Sequence, residues 1–166
     1  AMKADAEWLD GQHITRCALL AENGCAWAIA DLALLQLAAV NLPLPTFFTP
    51  NQKRHALQDA GVNAVLTDCP DAFLAQHSDF RRSGVAPGSQ LELLTRTAME
   101  PPRALPDGTV KITYTSGSTG TPKGICLSAA TLWAVSASLA QAVRGAGVSK
   151  HLCLLPLSTL LENLPA

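Results

Sequence analysis

The sequence predicts an α/β protein with a mainly parallel sheet and helices on both faces. Two observations predict it. Short β-branched or aliphatic runs alternate with longer runs of helical length, as in βαβ units. Helix start and stop signals also fall between these runs, in register with the alternation.

Residues 16–21 form a short apolar run suited to a buried strand. Gly24 and Cys25 open an Ala- and Leu-rich helical stretch to about Ala39. Residues 40–44 suit the next strand, closed by Pro43 and Pro45. Thr49, Pro50 and Gln52 give an N-cap, a first-turn proline and a capping box for a helix to about Ala60, which Gly61 stops. Residues 62–67 form a third strand, followed by a short helix over 71–76 and a strand over 90–94. Pro101-Pro102 and Pro106-Asp107-Gly108 mark an exposed connector. Residues 110–115 are a β-branched strand, and residues 124–127 are extended again. Ser128 then caps a helix over 129–144 that ends at Gly145 and Gly147, and residues 152–155 read as a last strand. No repeat, low-complexity segment or second domain is visible.

Composition excludes several function classes. Of the 166 residues, 48% are hydrophobic and 15% are charged, against about 25% charged in a typical soluble domain. Either the protein is simply rich in aliphatic residues, or part of its surface is normally covered by further chain. The net charge of −1 and the absence of a dense Lys/Arg cluster argue against nucleic acid or an anionic membrane as partner. Arg81-Arg82 reads as a solvated turn. The most apolar stretch, residues 25–40, is interrupted by Asp31 and Gln36 and is too short to span a bilayer. With no signal-peptide pattern, the protein is expected to be cytoplasmic. Ala1-Met2 reads as a residue added ahead of a start methionine. Cys17, Cys25, Cys69, Cys126 and Cys153 include no Cys-x-x-Cys pair, and most lie among aliphatic residues, so reduced core thiols are expected. His13, His55, His77 and His151 lack metal-ligand spacing.

The chemistry lies in Lys111-Ile-Thr-Tyr-Thr-Ser-Gly-Ser-Thr-Gly-Thr-Pro-Lys-Gly-Ile125. A strand delivers the chain into Ser116, Gly117, Ser118, Thr119, Gly120, Thr121, Pro122, Lys123 and Gly124. Glycines let successive N–H groups turn toward one point, and such concave rows hold anions. Four hydroxyls add neutral donors, and Lys123 adds a positive charge beside the stiff Pro122. A plain Ser/Gly surface turn would not need a strand on each side and a Pro-Lys-Gly exit. A Walker A loop requires Gly-Lys-Ser/Thr opening a helix, and here Pro122 and Gly124 flank Lys123. Gly117-x-x-Gly120 lacks the Gly-x-Gly start of a dinucleotide fingerprint.

Residues 114–124 resemble the signature loop of the adenylate-forming superfamily, which includes acyl-CoA synthetases, luciferases and peptide-synthetase adenylation domains. Ala18-Leu-Leu-Ala-Glu-Asn23 and Trp27-Ala-Ile-Ala-Asp-Leu32 resemble the family's early strand and helix, residues 37–67 its next βαβ unit, and Gly124-Ile-Cys-Leu-Ser128 the strand after the loop. Leu154-Leu-Pro-Leu-Ser-Thr-Leu-Leu-Glu162 resembles the Leu-Pro-Leu-x-His-x-x-Glu element of long-chain acyl-CoA synthetases.

The resemblance implies part of the N-terminal domain of an AMP-forming ligase, with residues 1–166 as one partial domain. It implies ATP and Mg2+ as cofactors. A carboxylic acid would be activated to an acyl-adenylate and then passed to the thiol of CoA or a carrier protein. Thr115, Ser116, Gly117, Ser118, Thr119, Gly120, Thr121, Lys123 and Gly124 would bind the ATP phosphates, with Thr119 near magnesium and Thr159 and Glu162 near the substrate pocket. No residue of this segment is expected to be catalytic. Thr159 stands where relatives often carry His, which leaves the acid open. The family's adenine, ribose and adenylation-lysine elements are absent, so the first part of a larger enzyme, inactive alone and missing its C-terminal portions, is expected. A non-catalytic module that keeps the fold, and an amino-acid adenylation domain of a peptide synthetase, are the alternatives.

Overall fold

Capping chemistry fixes the central helix of the fold where the sequence places it. The computed structural model describes residues 1–96, 104–115, 122–145, 147, 150 and 152–159. In helix α3 (Pro50–Asp59), the Thr49 hydroxyl accepts from the Gln52 N–H, and the Gln52 side chain accepts from the Thr49 N–H at 2.9 Å. At its other end Gly61 has φ 63°, and the N–H groups of Val62 and Gly61 donate back to Leu57 and Gln58. This is a Schellman ending, which needs a left-handed residue at that point.

Four strands run parallel through the middle of one sheet: β1 (Arg16–Leu20), β2 (Val40–Pro43), β3 (Ala64–Thr67) and β6 (Thr109–Thr115). Antiparallel strands flank them, namely β4 (Arg81–Val85) and β5 (Glu92–Thr95) on one side and β7 (Lys123–Ser128) on the other. The order across the seven strands is β4-β5-β3-β1-β2-β6-β7. The expected parallel sheet is therefore its central part, and both edges are hairpin-built.

Period-two alternation splits the core into two layers. Cys17, Leu19, Ala64, Leu66 and Leu93 face α1 (Met2–Asp10) and α2 (Cys25–Gln36), meeting Leu9, Ala30 and Leu34. Ala18, Leu20, Leu42, Val65, Leu94 and Ile112 face α3 and α4 (Pro70–Leu74), meeting Ala56, Leu57 and Phe73. Helices thus cover both faces, as the strand pattern predicts. The last helix, α5 (Ala129–Gly145), starts where Ser128 Oγ accepts from the Thr131 N–H at 3.2 Å.

Three expectations need correction, and one helix, α1, was not among the predicted elements. Arg81-Arg82 is no turn but the start of edge strand β4, whose residues are all exposed and so carry no apolar period. Arg82 instead bridges Glu92 and Asp71, a charged edge of the kind that resists further pairing. The amino-terminal residues build α1, whose buried Asp5 accepts from the Gly88 and Ser89 N–H groups in the β4–β5 turn. Residues 152–155 are not a strand: the Leu155 carbonyl takes its hydrogen bond from the Asn23 side chain at 2.9 Å rather than from a neighbouring strand, and Asn23 accepts from the Leu157 N–H at 2.8 Å. Finally, of the five free cysteines only Cys17 is fully buried, and burial pushes its thiol up to about 12. Cys25, Cys69 and Cys153 lie at helix starts or in extended chain and face solvent.

Candidate functional site

Strand β6 earns its place by β-branched residues, and its inward side chains Ile112 and Tyr114 lock it to the α3 layer. Because β6 is parallel to β2, and β2 to β1, the chain leaves the sheet at Thr115 on the carboxyl edge of the central strands. In open α/β sheets that edge is where ligands bind. The chain re-enters at Lys123, paired with Thr115 in the β6–β7 hairpin. Thr115, Lys123 and Gly124 are exposed there, while Pro122 is buried. Ser116, Gly117, Ser118, Thr119, Gly120, Thr121 and Glu162 lie outside the described residues.

Three packing details hold the hairpin. Gly124 faces Tyr114 across the ladder, and a Cβ on Gly124 would stand 2.9 Å from Tyr114 Cζ and 3.1 Å from Ile112 Cγ2. A bare glycine lets the tyrosine ring lie flat over it. The Tyr114 hydroxyl then donates to Asp59 Oδ2 at 2.7 Å. The Pro122 carbonyl is 3.1 Å from His55 Nε2. Tyr114 and Gly124 also line a cavity of about 220 Å³, together with Asp59, Leu105, Ile112 and Cys126.

On the other face, a buried charged cluster supports β6. Lys111 Nζ donates to Asp31 Oδ1 on α2 at 2.8 Å, and Asn41 Nδ2, register-paired with Lys111 from β2, donates to the same oxygen. Burial pushes the Asp31 carboxyl up, opposed by the Lys111 ammonium and the two hydrogen bonds.

Thr159 closes a turn, donating from Oγ1 to the Pro156 carbonyl at 2.7 Å. Through Asn23 that turn is tied to the loop after β1, on the same sheet edge as Thr115 and Lys123 with β2 between them. The structure therefore gathers Thr115, Lys123 and Thr159 along one edge. Sequence reasoning missed Asn23, His55, Asp59 and the Asp31–Asn41–Lys111 cluster. Only Asp31, interrupting an apolar helix, carried a visible signal.

The donor set at the hairpin mouth, an exposed hydroxyl and an exposed ammonium beside the glycine-rich segment, fits a polyphosphate. No three His, Cys, Asp or Glu residues among the described ones form a metal cluster. A magnesium ion here would arrive coordinated largely by the nucleotide's own phosphates.

A glycine-rich segment leaving and re-entering the carboxyl edge of such a sheet defines an α/β domain with a candidate ligand edge, and the comparisons say to which family it belongs. The AMP-binding enzyme family matches residues 6–163, and the chain belongs to that family. It is 32% identical over 138 residues to 4-hydroxyphenylalkanoate adenylyltransferase of Mycobacterium tuberculosis, covering 75% of this chain and 22% of that protein. It is 31% identical over 139 residues to the long-chain-fatty-acid–AMP ligase FadD26 of Mycobacterium marinum, covering 75% and 23%. The chain thus spans under a quarter of the length of these relatives. Its fold matches ATP-bound MatB from Rhodopseudomonas palustris with a TM-score of 0.74 at 22% identity, covering 98% of this chain and 35% of that one. It also matches O-succinylbenzoate coenzyme A synthetase from Bacillus subtilis, in complex with ATP and magnesium, with a TM-score of 0.72 at 21% identity, covering 98% and 44%. Among the described residues no helix is long and apolar enough to cross a membrane.

Proposed function

We propose that this chain is the ATP-phosphate-binding part of an AMP-forming acid–thiol ligase. The observation that carries the reading is the hairpin mouth: Thr115 and Lys123, the two ends of the Ser/Thr/Gly segment, stand paired and exposed at the carboxyl edge of the parallel strands. Residues 115–124 grip the β- and γ-phosphates, with Thr119 near magnesium and Thr159 and Glu162 toward the acid. A carboxylate oxygen attacks the α-phosphorus, the bond to pyrophosphate breaks, and an acyl-adenylate results. A thiol then attacks the acyl carbon and AMP leaves. Lys123 stabilises charge on the phosphate oxygens as pyrophosphate departs.

Residues 1–166 form a partial domain of that enzyme. Exposed apolar side chains support this: Trp133 on α5 is 69% exposed, and Leu152 and Leu154 are 74% and 77% exposed. Further chain covers such surface in a complete domain. The isolated chain is therefore expected to catalyse no ATP–pyrophosphate exchange, whereas the full-length enzyme does. Exchange by the purified 166-residue chain would refute the partial-domain reading, and none by the full-length protein would favour a non-catalytic module. In the full-length enzyme, Lys123→Ala is expected to weaken ATP use by about 1–3 kcal/mol, the scale of a charge-assisted hydrogen bond. Steady-state kinetics in ATP checks it, and unchanged ATP kinetics would remove Lys123 from the phosphate grip. The acceptor is CoA or a carrier-protein thiol. A relative such as the polyketide synthase–nonribosomal peptide synthetase ffsA of Aspergillus flavipes, at 37% identity over 132 residues, supports the second acceptor.

A further inference from the structure

We propose that helix α3 is a positioning device for the phosphate-binding segment, with His55 holding its exit and Asp59 its entry. The inference rests on the reading of residues 115–124 as a phosphate grip. His55 and Asp59 are four residues apart, so they project from one face of α3 a single turn apart. Asp59 accepts from the hydroxyl of Tyr114, the residue immediately before Thr115. His55 Nε2 lies 3.1 Å from the carbonyl of Pro122, the residue immediately before Lys123. The ring of His55 also meets the ring of Tyr114 edge-on, with centroids 6.5 Å apart and planes at 88°.

The chemistry of the exit contact is specific. Pro122 has no N–H, so its carbonyl is its only backbone polar group, and Thr115–Lys123 is the last ladder pair among the described residues. A carbonyl only accepts, so the imidazole must carry its proton on Nε2 for the bond to form. The helix that supplies both contacts is itself fixed at both ends by the Thr49–Gln52 capping box and the Gly61 ending. Holding Tyr114 and Pro122 presets the backbone that presents their neighbours Thr115 and Lys123, which lowers the ordering cost of binding there. Loosening one pin should therefore weaken ATP binding more than it slows chemistry.

The test compares His55→Leu, His55→Gln and Lys123→Ala in the full-length enzyme, using ATP–pyrophosphate exchange and urea unfolding. His55→Leu is expected to raise KM for ATP about fivefold, the scale of one lost hydrogen bond, with kcat and the KM for the acid little changed. His55→Gln, whose amide N–H can reach the same carbonyl, is expected to recover most of that loss. The proposal is overturned if His55→Leu leaves KM for ATP unchanged while Lys123→Ala raises it. It is also overturned if His55→Gln is as impaired as His55→Leu at equal urea midpoint, or if both His55 variants lose only stability. If Lys123→Ala too leaves ATP use unchanged, the phosphate-grip reading fails first and the positioning role falls with it.

Discussion

Lys111→Met is expected to destabilise the protein by about 3–5 kcal/mol, because it leaves a carboxylate buried without its cation. The Lys111 and Asp31 side chains are 4% and 10% exposed, with 2.8 Å between Nζ and Oδ1. The loss should depend on pH in a defined direction. Burial already raises the Asp31 carboxyl above its ordinary value, and Lys111 is the largest opposing influence. Without Lys111 the native carboxyl holds its proton to still higher pH, while the unfolded one releases it at the usual value. The native state then binds more protons than the unfolded state, so stability falls as pH rises through that window. The penalty should be smaller at about pH 5 than at about pH 8 in urea unfolding. Asp31→Asn combined with Lys111→Met removes both charges and keeps an acceptor for Asn41, so it should be less damaging than Lys111→Met alone. A double variant as unstable as the sum of its parts would show that the ion pair is not what Lys111 contributes.

That cluster also shows where sequence reading stops. The fold's central elements were legible because their signals are local: Thr49 and Gln52 for a capping box, Gly61 for a left-handed ending, and β-branched residues along β6. Strand β4 was not, since its five residues are exposed and its pairing depends on β5, reached through a turn that Asp5 braces from 83 and 84 residues away. The leucines at 152 and 154 imitate a buried strand, yet whether an apolar run pairs depends on a neighbouring edge, and here Asn23 bonds the Leu155 carbonyl and the Leu157 N–H instead. The same divide runs through the site. The hydroxyls, glycines and Lys123 announce an anion by type and spacing alone. The groups that brace the hairpin ends, His55 and Asp59 on α3 and Asn41 and Lys111 on adjacent strands, meet only through the strand order β1-β2-β6-β7.

Gly124→Ala is expected to damage both stability and ATP use through the Tyr114 ring. The added Cβ would stand 2.9 Å from Tyr114 Cζ and 3.0 Å from its hydroxyl oxygen, inside contact distance, and 3.1 Å from Ile112 Cγ2. The ring is 7% exposed and packed in the α3 layer, so it cannot swing out without opening the core. Overpacking of this kind costs about 1–3 kcal/mol. Displacing the ring also breaks its bond to Asp59, which loosens the strand end that carries Thr115. Urea unfolding should therefore show the stability loss, and the KM for ATP should rise with it in the full-length enzyme. Tyr114→Leu removes the atoms that the new methyl would strike. Gly124→Ala made in that background should cost less stability than it does in the native protein, since the clash is shared between the two positions. Equal costs in both backgrounds would mean that the ring is not the obstacle, and that Gly124 is required for the segment's own backbone path instead.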